Sequence, residues 1–109
     1  PDPIPSIGGQ TGSFTMARTA LAAQAGIIAQ MPADFDFRAS FSVTAYKMSY
    51  TDLQGYVIDR IKTGAGFDGE IRQSINTLRP GQKVFFEDIT AMGPDGVPRN
   101  LSPIVIRVQ

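Results

Sequence analysis

The chain contains no cysteine, no histidine and no tryptophan. Without Cys there is no disulfide, no thiolate nucleophile and no thiol metal ligand. Cytosolic and periplasmic domains both do without it, so its absence assigns no compartment. Without His the commonest general base and the commonest metal ligand are gone. An excess of one charge is missing too: ten Lys and Arg are matched by ten Asp and Glu, mixed along the chain rather than grouped in blocks. Nucleic acid needs a clustered positive field and an anionic membrane needs a polybasic patch, so neither is an expected partner. No run approaches the roughly 18 apolar residues of a membrane span.

What is present fits one domain. A chain of 109 residues buries roughly two thirds of the surface its unfolded form exposes, enough for one core without staples. It starts at Pro1 with neither a Met nor a signal peptide, which reads as a piece of a longer or processed protein. Pro1, Pro3 and Pro5 stiffen an extended lead-in, and Gly8, Gly9 and Gly12 continue it as irregular chain. Residues 1–12 therefore read as a linker from a preceding domain, with residues 13–109 as the domain itself.

Thr15 to Gln24 is rich in good helix formers, with Ser13 or Thr15 as cap and Gly26 as stop. Ile27 to Met31 is a candidate short strand. From Asp34 to Thr44 apolar Phe35, Phe37, Ala39, Phe41 and Val43 alternate with polar residues, as in a strand with one solvated face. The phase then flips to Tyr46, Met48 and Tyr50, which predicts a bulge near Ala45 or a strand that changes sheets. Asp52 to Gly55 reads as a turn and Tyr56 to Ile61 as the returning strand. Ile71, Ile75 and Leu78 recur at helical spacing over Asp68 to Leu78, with a strand from Glu70 to Ile75 as the alternative. Val84 to Ile89 and Ile104 to Val108 are β-prone runs around the turn signal Gly93-Pro94-Asp95-Gly96. The expected fold is mainly β: an immunoglobulin-like antiparallel β-sandwich with one or two short helices.

No residue pattern carries a reaction. Asp34 and Asp36 share a strand face, and paired carboxylates can hold a cation or run acid–base chemistry. With no third acid nearby they read as a solvated edge. Glu87 and Asp88 are adjacent, so on a regular strand they face opposite ways and share nothing unless a bulge reorients one. Gly93 to Gly96 offers one carboxylate and reads as a turn rather than a Ca²⁺ loop. Gly8 to Gly12 has the glycines of a phosphate loop but not its Lys. No catalytic residue, metal site or cofactor is expected. Tyr46, Met48 and Tyr50 form a stripe that either seats a partner or fills the core after the bulge. Phe85 and Phe86 point to opposite sides, so one of them covers a partner or a neighbouring element if one side is solvent. Tyr46, Met48, Tyr50 and Phe85 are thus the candidate partner surface.

Taken together, PDPIPSIGG at the start, GIIAQMPADFDFRASFSV in the middle and VFFEDITAMGPDGVPRNLSPIVIRV at the end resemble one family. It is the C-terminal periplasmic domain of the GldM/PorM proteins of Bacteroidetes, shaft components of the gliding-motility and type IX secretion machinery. Lys47 to Thr77 does not contribute to this likeness. The resemblance implies a rod-like homodimer of stacked periplasmic domains, anchored by a transmembrane helix upstream. This domain would be its distal end, meeting the outer-membrane-associated ring of PorK and PorN and passing on motion. Pro1, Pro3 and Pro5 would form the joint to the preceding domain, and the family supplies no catalytic residues. The expectation is a non-enzymatic structural and interaction domain. The alternative is a carbohydrate- or peptide-binding sandwich, motivated by Tyr46, Met48, Tyr50 and Tyr56 in adjacent strands.

Overall fold

The computed structural model describes residues 2–31 and 40–109. Strands β1 (Ile4–Ile7), β2 (Gln10–Thr11) and β3 (Ser13–Met16) precede helix α1 (Arg18–Ala22). Then follow β4 (Ile28–Gln30), β5 (Ser42–Thr51), β6 (Val57–Thr63), α2 (Gly69–Asn76), β7 (Lys83–Met92), β8 (Pro98–Asn100) and β9 (Ile104–Val108). The domain is mainly β, with two sheets and two short helices, as the patterning leads one to expect. A small sheet runs β2-β1-β4, and a large one runs β3-β9-β7-β5-β6 with β8 paired to β7. All pairings are antiparallel except β3 on β9, which is parallel.

Three local expectations change. Gly8 and Gly9 are not irregular chain. Ile7 pairs with Gln10, and both glycines have positive φ (59° and 79°). That is the geometry of a two-residue hairpin, whose twist matches the flanking strands. Next, Ile4–Ile7 is a strand with Pro5, Ser6 and Ile7 buried. A proline fits there because β2 pairs only with Ser6 and Ile7, leaving no strand on that side to need its missing N–H. Finally, Ser13–Met16 is a strand where the composition suggests the start of a helix. Phe14 and Met16 pair with Ile106 and Val108, so tertiary pairing overrides helix propensity and α1 shrinks to Arg18–Ala22. The strand expected from Asp34 lies mostly outside the described residues, and with it Asp34 and Asp36.

Two other local expectations hold. The bulge falls at Ala45, where β5 shifts register against β7 between Val43 and Lys47. The Asp68–Leu78 segment is helical over Gly69–Asn76, and the Asp68 carboxylate caps it by accepting from Ile71 N at 2.9 Å. The buried core lies on one face of the large sheet, where Tyr46, Met48, Phe86, Ile104 and Ile106 meet Leu21, Ile71 and Ile75 of the helices. Phe67 stacks on Phe86 at 5.4 Å between ring centroids and meets Tyr46 edge-on at 6.1 Å. The Arg72 guanidinium fastens α2 to the end of α1 by donating to the carbonyls of Ala22 (3.1 Å), Gln24 (3.0 Å) and Phe67 (2.6 Å).

Candidate interaction surface

Side chains alternate across a strand, so the cross-strand partners of buried residues identify the buried face of the large sheet. Met48 faces Phe86, and Phe86 faces Ile104. The other face is set by Lys47, paired with both Ile61 and Glu87, and by Ser49, paired with Asp59 and Phe85. Val105, opposite Phe85 and Ser13, extends this row to β9 and β3. Every residue on this second face is at least partly exposed. Both helices pack on the first face, so among the described residues the second is the open side of the sheet.

The β5–β6 hairpin shapes one edge of that open face. Its turn is held by the Asp52 carboxylate, which accepts from Gln54 N at 3.0 Å and Tyr56 N at 2.9 Å, an arrangement typical of Asp in turns. Beyond it β6 pairs with β5 in unbroken register from Val57 to Thr63. Among the described residues no strand lies on its other side. Val57 and Ile61 stand on the open face and are 68% and 78% exposed, with Asp59 between them.

Charge on this side is balanced locally. Lys47 Nζ lies 3.6 Å from Glu87 and 3.4 Å from Asp88. Partial burial pulls the lysine pKa down, but the Asp88 and Glu87 carboxylates outweigh it and hold it above its ordinary value. The two adjacent acids reach one lysine because Asp88 sits at φ 50°. This is the reorienting bulge without which they would face apart. On the helix side Lys62 joins Glu70 at 2.5 Å and Asp68 at 2.9 Å. Those partners, Glu70 first, raise its pKa. Arg60 Nε donates to Ser74 at 3.4 Å, and its guanidinium lies 3.8 Å from Glu70. A cavity of about 320 Å³ opens nearby between the hairpin and the end of α2, lined by Tyr50, Ile58, Arg60, Leu78 and Gln82 among others.

The structure divides the sequence candidates. Tyr46, Met48 and Tyr50 are buried in the core, which corrects their placement on a partner surface: after the Ala45 bulge this stripe turns inward. The Tyr46 hydroxyl donates to Gly66 O at 2.8 Å. Burial, then the Asp68 carboxylate, push its pKa up to about 12, so it is a neutral structural donor. With Tyr46 and Tyr50 inside, no tyrosine platform for a sugar lies on the surface, where only Tyr56 is exposed. Phe85 does lie on the open face, partly exposed, with its neighbour Phe86 fully buried. Pro3 and Pro5 are buried, and Pro1 lies outside the described residues. Among the described residues no three acidic side chains converge as a metal site would require. No helix there is long and apolar enough to cross a membrane.

Val57 and Ile61 are the residues that reading the sequence passed over. Their signal is that Val57-Ile58-Asp59-Arg60-Ile61 carries apolar side chains in both phases. One phase can be buried while the other is left on the surface. A family model described as the GldM C-terminal domain matches residues 1–109. No curated protein matches the chain.

Proposed function

The chain belongs to the GldM C-terminal domain family, and from that premise we propose a non-enzymatic interaction domain at the distal, periplasmic end of a gliding and type IX secretion shaft protein. In this reading the domain contacts the PorK/PorN ring and hands on motion from a membrane-anchored partner region upstream. The full-length protein acts as a homodimer. The observation that carries the proposal is the family match over the whole chain, residues 1–109. The open sheet face supports it by leaving Val57 and Ile61 of β6 exposed on either side of Asp59, with Phe85 on the same face beyond Ser49.

Pro1, Pro3 and Pro5 form the joint to the preceding domain. Since Pro3 and Pro5 pack into this domain, the joint is stiff, which suits transmission of force better than a flexible tether would. The test is capture of purified ring proteins by the immobilised chain at low and moderate salt. Retention of ring proteins at both is expected; absence at both would remove the ring contact from the proposal.

A further inference from the structure

The backbone of β6 has a direction that its side chains do not reveal. Asp52 N donates to Tyr56 O at 2.8 Å, and Gly64 N donates to Thr44 O at 2.6 Å, at the two ends of the β5–β6 ladder. Hydrogen-bonded pairs recur every second residue in an antiparallel ladder. The bonded positions of β6 are therefore the even ones, Ile58, Arg60 and Lys62. Val57, Asp59, Ile61 and Thr63 turn their N–H and C=O groups away from β5, towards the outer edge. Edges of this kind are usually blunted by charged side chains, proline, a bulge, a short strand or a cover, and of these, among the described residues, β6 carries only the charges of Asp59, Arg60 and Lys62. Here β6 is seven residues long, its register is unbroken, and it contains no proline.

We propose that the β6 edge docks an extended strand of a different protein, which adds to the large sheet and lays its side chains over Val57 and Ile61. A second copy of this chain is the obvious rival, and charge disfavours it. A two-fold contact between β6 strands must be antiparallel. Centred on Asp59 it opposes Asp59 with Asp59. Centred on Arg60 it opposes Arg60 with Arg60. One step on, centred on Ile61, it opposes Arg60 with Lys62, and beyond that Lys62 meets Lys62. Directly opposed like charges destabilise a pair. Only a two-fold near Ile58 escapes this, and it leaves Asp59 against Val57 over a short overlap.

The same residues define the partner. On the open face it carries apolar side chains opposite Val57 and Ile61, with a basic residue between them opposite Asp59. On the helix side it carries acids opposite Arg60 and Lys62. Arg60 is held by Glu70 only at 3.8 Å, so an incoming carboxylate has a guanidinium to engage. Main-chain bonds would give affinity and the alternate side chains specificity. This deepens the ring-contact reading by naming a surface and a mode, but its test does not require the ring.

The probe is the synthetic peptide Thr-Glu-Val-Glu-Lys-Thr-Ile, written to lie antiparallel to Thr63 through Val57. Its control has both Glu changed to Lys and the Lys to Glu. In an NMR titration of the full chain, the first peptide should slow amide exchange at Val57, Asp59, Ile61 and Thr63 about tenfold near saturation. The already paired Ile58, Arg60 and Lys62 should change little, and the control peptide should do nothing. Ile61→Pro removes an outward N–H without breaking a β5–β6 bond, so it should abolish the response and keep the melting temperature near the parent value. If that variant unfolds, Ile61→Glu, which removes the apolar seat, takes its place. No response, or an equal response to both peptides, overturns the proposal. Concentration-dependent protection of the same amides without peptide overturns it in favour of a second copy. Ring capture unchanged by Ile61→Pro (or by Ile61→Glu where it stands in) overturns it as the ring contact and leaves the ring reading standing. A peptide response without any ring capture does the reverse.

Discussion

Gly26 shows how much depends on a single missing Cβ. It bridges to Gly66, and on either side Ile27 N donates to Ala65 O at 3.0 Å and Phe67 N to Ala25 O at 2.9 Å. This crossing ties the α1–β4 connection to the β6–α2 connection and sets Phe67 against Phe86 beneath β5. A Cβ on Gly26 would lie 2.1 Å from Ala65 O, a backbone atom that cannot swing away. Gly26→Ala should therefore cost about 2–3 kcal/mol. At Gly66 the nearest atom to an added Cβ is 3.8 Å away, so Gly66→Ala should change stability far less. Urea unfolding of the two variants checks the contrast, and similar losses would show that the close approach does not set the crossing. The sequence marks Gly26 only as a helix stop, not as a close approach to another segment. Its requirement comes from a segment 40 residues further on (Gly26 to Gly66).

At the scale of elements, α2 is the best-specified piece of the chain. Asp68 caps it, and Lys62 of β6 bridges Asp68 and Glu70, so the helix and the edge strand are charged partners. The Ile71 amide first, and then Lys62, hold the Asp68 carboxyl below its ordinary range, and Lys62 does the same for Glu70. Depressed carboxylate pKa values contribute stability that is complete above the unfolded value near 4 and is lost as pH falls through the folded ones. Asp68→Asn keeps a capping oxygen and loses the charge, so its unfolding midpoint should fall less steeply with acidification than the parent's. Asp68→Ala should be the less stable of the two at neutral pH because it also loses the cap. Midpoints followed from neutral pH to about 2 check this, and parallel acid limbs in parent and Asp68→Asn would remove Asp68 from the explanation. The α2 periodicity, the Ala45 bulge and the Gly93–Gly96 turn are legible because each is written in neighbouring residues, whereas the caps expected for α1, Ser13 or Thr15, lie in β3 and its N-cap is Ala17. Gly8-Gly9 is a hairpin signal for β1–β2 that the neighbouring prolines disguise as linker. The parallel β3–β9 pair was not legible, because pairing partners some 90 residues apart (Ser13 with Val105) leave no local pattern. The surface inverted for a related reason: the Tyr46–Tyr50 stripe shows which side chains share a face, and only the packing of α2 decides that this face is the inner one.

For the whole molecule, the decisive joint is between the two ends of the chain. β3 lies parallel to β9, Val105 N donates to Gly12 O at 2.9 Å, and Gln109 N donates to Met16 O at 2.9 Å. Upstream, Ile7 is fully buried in the common core and Ser6 Oγ donates to Ile28 O at 3.1 Å. Composition assigns residues 1–12 to a linker, and a linker can be removed without cost. The packing assigns Ile4–Thr11 two of the three strands of the small sheet, and their removal takes Ile7 out of the core and unpairs β4. Deleting residues 1–12 should therefore lower stability by at least the roughly 2–5 kcal/mol expected for losing one buried Ile side chain. Ile7→Ala alone should approach that figure. Thermal unfolding of the full chain, the deletion and Ile7→Ala distinguishes the two accounts, since an unaltered midpoint in the deletion would restore the linker reading. If the deletion does unfold, the consequence reaches function. A pull on the N-terminal prolines is then a pull on β1, on the core through Ile7, and through β3 on the central strands of the large sheet. On the proposed role, a load arriving at Pro3 and Pro5 would be borne by the same sheet that presents β6 at its far edge.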